Sequence, residues 1–209
     1  MNRILRYFVV VFFIVAVVAA AYSFYTDKKN AAILSKELEN TIPYQKLYDA
    51  LLTARTAELV SEGTVLKPDI LLVDEKGDTV ALGELNDSID VFFCYYRTHC
   101  SSCIDRHLTF ISENLKKASL KVAILSDFSS AKDMSVVKSL NGLICPVYKM
   151  DVRLGIPADS LELPYFFSVE SGRDGLCARN VFVPMLEAPS LPEVFLGTLN
   201  GRKVENKIT

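Results

Sequence analysis

The stretch that most constrains this chain is His99-Cys100-Ser101-Ser102-Cys103. It follows Val91-Phe92-Phe93-Cys94-Tyr95-Tyr96, an aromatic and β-branched run that reads as a strand. It precedes a segment from Ile104 to Leu115 whose apolar residues at 104, 108, 111 and 115 recur at three- and four-residue spacing. That period predicts a helix with one buried face. The two cysteines therefore fall where a strand runs into the first turn of a helix. Unpartnered backbone N–H groups and the positive end of the helix dipole meet there, and both favour a thiolate over a thiol. Cys100 is expected to be the exposed member. Cys103, one turn on, is placed to close a small disulfide with it, which is the geometry of dithiol–disulfide exchange.

The same spacing serves zinc sites, but most of those need a second Cys or His pair downstream. None follows: Cys145 and Cys177 stand apart, and the histidines are His99 and His107 alone. A metal set of His99, Cys100, Cys103 and His107 is the remaining copper- or zinc-handling alternative. Cys94 reads as a small hydrophobe in its strand, and Cys145 and Cys177 read as structural. His107, four residues after Cys103, shares its helix face and reads as a core or groove histidine. His99, when protonated, would stabilise a Cys100 thiolate, and Arg97 would do the same if it folded inward.

A chain of 209 residues with a net charge of −2 suits one domain plus appendages and gives no reason to expect a nucleic-acid partner. Five cysteines, an odd number, exclude a fully paired disulfide scaffold.

Residues 1–26 carry Arg3 and Arg6, then an uncharged run from Tyr7 to Thr26. Twenty such residues cross a hydrocarbon core of about 30 Å at about 1.5 Å each. Tyr22, Phe24 and Tyr25 would anchor at the far interface. The segment reads as a single transmembrane anchor contacting the membrane through residues 4–25. The rival reading is a signal peptide cleaved near Ala19-Ala20-Ala21; the anchor is preferred because the apolar run continues past the alanines. Either way the remainder lies outside the cytoplasm. Residues 27–64 read as a helical stalk or linker packing loosely on the domain, interrupted at Pro43 and stopped at Gly63.

From Val65 the pattern changes. Runs 70–73 and 79–82 flank a charged, Gly-containing turn and predict a β-hairpin. After the motif helix, 120–125 reads as a strand and 130–140 as a helix. Residues 144–148 read as a short strand in which Pro146 marks an edge or a start. Leu163-Pro164 opens a hairpin of 165–169 with 177–183. Ser190-Leu191-Pro192-Glu193 opens a last helix, and residues 201–209 form a polar tail.

This order over residues 65–200 resembles the thioredoxin-like superfamily, and specifically its membrane-anchored TlpA/ResA-like thiol–disulfide oxidoreductase (redoxin) branch. The residues that carry the resemblance are Pro68-Asp69 through Gly77, the Cys100–Cys103 motif at a helix start, and Leu163-Pro164 before Tyr165-Phe166-Phe167. It implies an α/β thioredoxin-like fold with an N-terminal β-hairpin extension, preceded by the anchor and stalk. It implies Cys100 as nucleophile, Cys103 as resolving thiol, and Leu163-Pro164, with a cis-proline, as the substrate-docking edge. The expected activity is thiol–disulfide exchange with protein partners on the extracytoplasmic side, periplasmic in a bacterium. No cofactor is required, and a membrane protein would exchange electrons with the site. The chain departs from the family where a buried acid stands six residues before the first cysteine; here that residue is Cys94. This departure sustains a second reading, a low-turnover binding module that holds a partner through Leu163-Pro164 and the Tyr95-Tyr96 region.

Overall fold

The computed structural model describes residues 22–23, 25–26, 28–29, 44–114, 120–172, 175–186, 188 and 190–205. Most of the expected anchor and the first part of the expected stalk lie outside these residues. No helix among the described residues is long and apolar enough to cross a membrane. The chain divides into two units, residues 1–49 and 50–209. In the first, the described residues are helical. Helix α1 covers 44–61 and enters the second unit at Ala50.

The second unit is built on one mixed sheet. Its strands are β1 (Val65–Leu66), β2 (Leu71–Val73), β3 (Thr79–Ala81), β4 (Val91–Tyr95), β5 (Val122–Ser126), β6 (Val147–Met150), β7 (Tyr165–Gly172) and β8 (Gly175–Phe182). Helices α2 (Ser101–Asn114), α3 (Ala131–Leu140) and α4 (Leu191–Glu205) complete it. The strand order is β1-β8-β7-β4-β5-β6-β2-β3. β4 and β5 run parallel through the β4–α2–β5 crossover, while β7 lies antiparallel on the other side of β4 and leads into the β7–β8 hairpin. This is the thioredoxin-like arrangement, with the β2–β3 hairpin added beyond β6.

β4 is central because both of its faces are apolar. Side chains alternate across a strand. Val91, Phe93 and Tyr95 enter one core with Leu108 and Ile111 of α2, Met134 of α3 and Leu196 of α4. Phe92, Cys94 and Tyr96 enter a second core with Ala54 of α1, Leu66, Leu154 and Ile156. β7 divides in the same way, Phe166 into the first core and Tyr165 and Phe167 into the second. Phe92, Phe93, Phe166 and Phe167 are fully buried, each worth about 1.5–3 kcal/mol of apolar transfer. This anchors the strand that ends beside the cysteines.

The sheet curls strongly. Residues 67–70 join β1 to β2, a reach of at most about 17 Å at 3.3–3.6 Å per residue. Six strand spacings separate those strands in the order, about 28 Å if the sheet were flat. The two sides must therefore approach each other. They do so where Asn86 Nδ2 donates to Ser171 Oγ at 3.1 Å, joining the turn after β3 to the β7–β8 hairpin.

Several boundaries differ from the sequence expectation; β7 and β8, for instance, run on to Gly172 and from Gly175, beyond the expected 165–169 and 177–183. The compact unit begins at Ala50 rather than Val65, because Ala54, Ala57 and Ser61 of α1 are buried. Glu58 Oε1 also accepts the Val183 N–H at 2.7 Å, so this part of α1 is no loose spacer. β6 begins at Val147, not Ile144; Pro146 has no N–H, and its carbonyl accepts from Ile124 N–H at 3.0 Å. β6 is interior, between β5 and β2, so Pro146 marks a start and not an edge. Helix α4 runs to Glu205, into the segment expected to be a polar tail.

Candidate functional site

Cys100 and Cys103 are joined by a disulfide, with their Cα atoms 5.2 Å apart. Cys103 is 6% exposed, whereas Cys100 is only partly buried. Cys100 occupies the cap position of α2. Its carbonyl accepts the Ile104 N–H at 3.0 Å, and its Sγ accepts the Cys103 N–H at 3.3 Å. A sulfur thus stands where a serine or aspartate oxygen caps most helices, at the end where the dipole favours negative charge. The Ser102 hydroxyl lies 3.2 Å from the same sulfur. The sequence placed the cysteines at the helix start but did not single out Ser102.

The turn before the motif is closed by two hydrogen bonds. His99 N–H donates to the Tyr96 carbonyl at 2.9 Å, and Tyr96 N–H donates to His99 Nδ1 at 3.3 Å. The His99 ring packs edge-on to Tyr96, with centroids 5.0 Å apart, and is only 4% exposed. Burial, reinforced by the positive charge of Arg153, holds its pKa below the ordinary imidazole value. A neutral His99 replaces the expected cation: Nδ1 accepts, so the ring proton sits on Nε2, which has no partner among the described residues. Arg97 is likewise not turned to the cysteines as a free charge. Its N–H donates to Asp127 Oδ1 at 2.7 Å, its Nη1 donates to Ser129 Oγ at 2.5 Å, and its Nε lies 3.6 Å from Asp127 Oδ2.

Leu163 and Pro164 lie at the same end of the sheet as the motif. β4 runs antiparallel to β7 with Cys94 opposite Tyr165, so the entry to β7 is level with the exit from β4. Pro164 is buried and Leu163 partly so. No peptide bond among the described residues is cis, so the Leu163–Pro164 bond is trans, contrary to what the resemblance implies. Trans is the intrinsically favoured form, by about 0.5–1 kcal/mol before proline.

Tyr95 and Tyr96 are 4% and 3% exposed, so they are not the surface that a binding module would use. The Tyr96 hydroxyl instead enters a buried polar cluster that the sequence did not reveal. Its centre is Asp159, 6% exposed, in the short 3₁₀ turn Pro157–Leu161. Tyr96 Oη donates to Asp159 Oδ1 at 3.0 Å, Tyr165 Oη donates to the same oxygen at 2.6 Å, and Gly155 N–H donates to Oδ2 at 2.9 Å. Arg153 lies over the Tyr96 ring, 4.8 Å from its centroid, and donates to the Asp159 carbonyl at 3.3 Å. A buried carboxylate needs such partners to offset its desolvation. Tyr96 and Asp159 are far apart in sequence, and no local pattern signals their pairing.

His107 is 3% exposed and sits edge-on to Phe93 in the core, as expected for its helix face. Burial, then the charge of Arg106, lowers its pKa to about 4. No group of three His, Cys, Asp or Glu among the described residues could hold a metal ion, so the four-residue metal set is not assembled. Cys94, Cys145 and Cys177 are free. Burial pushes the Cys94 thiol well above its ordinary value and the Cys145 thiol up to about 11.

Chemically, this is an accessible sulfur and a buried one, bonded to each other and reversibly separable by two electrons and two protons. No family model and no curated protein sequence matches the chain. Solved structures that resemble it include an uncharacterized thioredoxin-like protein from Porphyromonas gingivalis, at 14% identity and a TM-score of 0.49, covering 67% of this chain and 94% of that one. A thio-disulfide isomerase from Thermus thermophilus aligns at 17% identity and a TM-score of 0.43, over 65% of this chain and 94% of that one. A secreted disulfide oxidoreductase from Mycobacterium tuberculosis aligns at 11% identity and a TM-score of 0.43, over 62% and 96%. These likenesses are modest, and the thioredoxin-like assignment rests on this chain's own strand order and on a disulfide at the head of α2.

Proposed function

We propose that this protein is a thiol–disulfide oxidoreductase acting on protein partners, tethered to a membrane by residues 4–25 with its second unit on the extracytoplasmic side. The observation that carries the redox reading is the Cys100–Cys103 disulfide at a helix N-terminus, with Cys100 the more exposed sulfur. The reading of the tether rests on the apolar run from Tyr7 to Thr26.

In the reduced site, the Cys100 thiolate attacks one sulfur of a partner disulfide. A Cys100–partner bond forms, the partner S–S bond breaks, and the departing sulfur leaves as a thiolate that takes up a proton. Cys103, having lost its proton, then attacks Cys100 Sγ. The site disulfide forms, the mixed disulfide breaks, and the second partner sulfur leaves as a thiol. Two electrons pass from the site to the partner. The reverse sequence, driven by a dithiol of an electron-donating membrane protein, restores the site. No cofactor enters either half. Leu163-Pro164 would present backbone to the extended partner segment.

The test is trapping in the full-length protein. Cys103→Ser should accumulate mixed disulfides through Cys100, visible as reducible high-mass species, and Cys100→Ser should not. Identical non-reducing gels for both variants and wild type would refute the exchange mechanism. The tether is tested separately, by carbonate extraction of membranes. Release of a soluble form beginning near Tyr22 would replace the anchor with a cleaved signal.

A further inference from the structure

We infer that Asp159 is a positioning residue for this exchange, holding the Leu163-Pro164 edge in register with the turn that carries Cys100; this rests on the exchange reading above. One carboxylate oxygen is shared by the two strand ends that frame the site. Tyr96 is the residue that follows β4 and is four before Cys100. Tyr165 is the first residue of β7 and directly follows Pro164. Both hydroxyls donate to Asp159 Oδ1, at 3.0 and 2.6 Å. The second oxygen holds Gly155 N–H at 2.9 Å. Tyr96 Oη in turn accepts the Leu154 N–H at 3.3 Å.

The loop from Leu154 to Pro164 is thereby tied at one point to both strand ends. Backbone bonds alone would leave it looser: Asp159 N–H to the Ile156 carbonyl, at 2.8 Å, is a bond within the loop. Glu162, next to Leu163, adopts a left-handed conformation at φ 53°. Such a residue persists only where its surroundings hold it. Tyr96 also sets the near side of the site, since its backbone closes the turn onto His99. A pairing between Tyr96 and Asp159 therefore governs the distance between the reacting sulfur and the edge that presents a partner. It touches neither the sulfur nor the partner itself.

The prediction is a separation of substrates. A protein disulfide needs the edge and the sulfur together; a small aromatic disulfide needs only the sulfur. Asp159→Asn keeps an oxygen for the tyrosines but turns an NH₂ toward the Gly155 N–H, setting donor against donor. Tyr96→Phe keeps the ring beneath Arg153 and beside His99 and removes only the hydroxyl. Insulin reduction with dithiothreitol as donor measures the protein arm. A single turnover of pre-reduced protein with 5,5′-dithiobis(2-nitrobenzoate) measures the small-molecule arm. Both variants should raise KM for insulin by about fivefold or more while kcat and the small-disulfide rate stay within about twofold. The pH midpoint of Cys100 alkylation should not move. Equal losses in both arms, a shifted alkylation midpoint, or an unchanged KM in a variant that remains folded would each overturn the inference. Should Asp159→Asn not fold, Tyr96→Phe decides alone. Wild-type protein that reduces neither substrate would instead refute the exchange reading, and the positioning role with it.

Discussion

Ser102→Ala tests how the start of α2 treats Cys100. The Ser102 hydroxyl lies 3.2 Å from Cys100 Sγ, beside the Cys103 N–H at 3.3 Å. When the site is reduced and Cys100 ionises, that hydroxyl becomes a donor to a charged acceptor. Hydrogen bonds to charged groups are worth about 1.5–3 kcal/mol when shielded from water. Ser102 is exposed, so water replaces much of the loss, and about 1 kcal/mol is the reasonable figure at such a site. At 1.36 kcal/mol per pH unit this raises the alkylation midpoint of Cys100 by about 0.7 and lowers the thiolate fraction below the midpoint about fivefold. A more basic thiolate is also more nucleophilic, with a Brønsted slope of about 0.4–0.5, which recovers about twofold. The net fall in rate below the midpoint is therefore about two- to threefold. The assay is iodoacetamide alkylation of the reduced protein across pH, with the Cys100 peptide quantified by mass spectrometry. Ser101→Ala is the control, because no hydrogen bond joins its side chain to Cys100 Sγ among the described residues. An unmoved midpoint in Ser102→Ala, or an equal shift in Ser101→Ala, would refute the reasoning.

Other outcomes follow from burial. His107 is held at about 4 in the fold against an ordinary value of 6.5, so between those pH values the unfolded chain binds a proton that the folded chain refuses. Stability should therefore be full above pH 6.5 and fall as the pH drops towards 4, by up to about 3 kcal/mol; urea midpoints at pH 7 and 4.5 should converge in His107→Gln, and parallel pH slopes would contradict this. Glu58→Ala strands the Val183 N–H that Glu58 Oε1 accepts at 2.7 Å. It should cost about 1–3 kcal/mol and lower Tm by roughly 5 °C in a unit of this size; an unchanged Tm would return α1 to the status of a spacer. Native Cys94 and Cys145 should resist alkylation until the protein unfolds, since burial raises both thiols; labelling of either at the rate of Cys100 would be inconsistent with these cores.

The parts of the fold that were legible before the structure are those written in local period. The run from Val91 to Tyr96 and the spacing at 104, 108 and 111 place β4 and α2, and with them the cysteines at a helix start. The β2–β3 hairpin follows from its Gly-containing turn, whereas in the β7–β8 hairpin the residues read as turn, from Glu170 to Gly172 and at Gly175, belong to the paired strands. Less legible were boundaries where polar side chains do structural work. Glu58 and Ser61 look like stalk residues, yet Glu58 accepts from Val183 N–H and the Ser61 hydroxyl accepts from Ala158 N–H at 3.0 Å. Polar contacts of this kind carry no periodic signature.

Sequence alone determined that two cysteines three apart would meet at the positive end of a helix, because strand, turn and helix are adjacent in the chain. It could not determine the charge of His99. That depends on burial against Tyr96 and on Arg153, which arrives from beyond β6. Nor could it locate an acid to stand near Cys94. The position six residues before Cys100, where the resemblance implies one, is occupied by Cys94, but the fold brings Asp159 to Tyr96 and Tyr165 across a long loop. Local sequence sets which backbone conformations are low in energy. Which polar group meets which, and with how much water removed, is decided only when distant segments share one core.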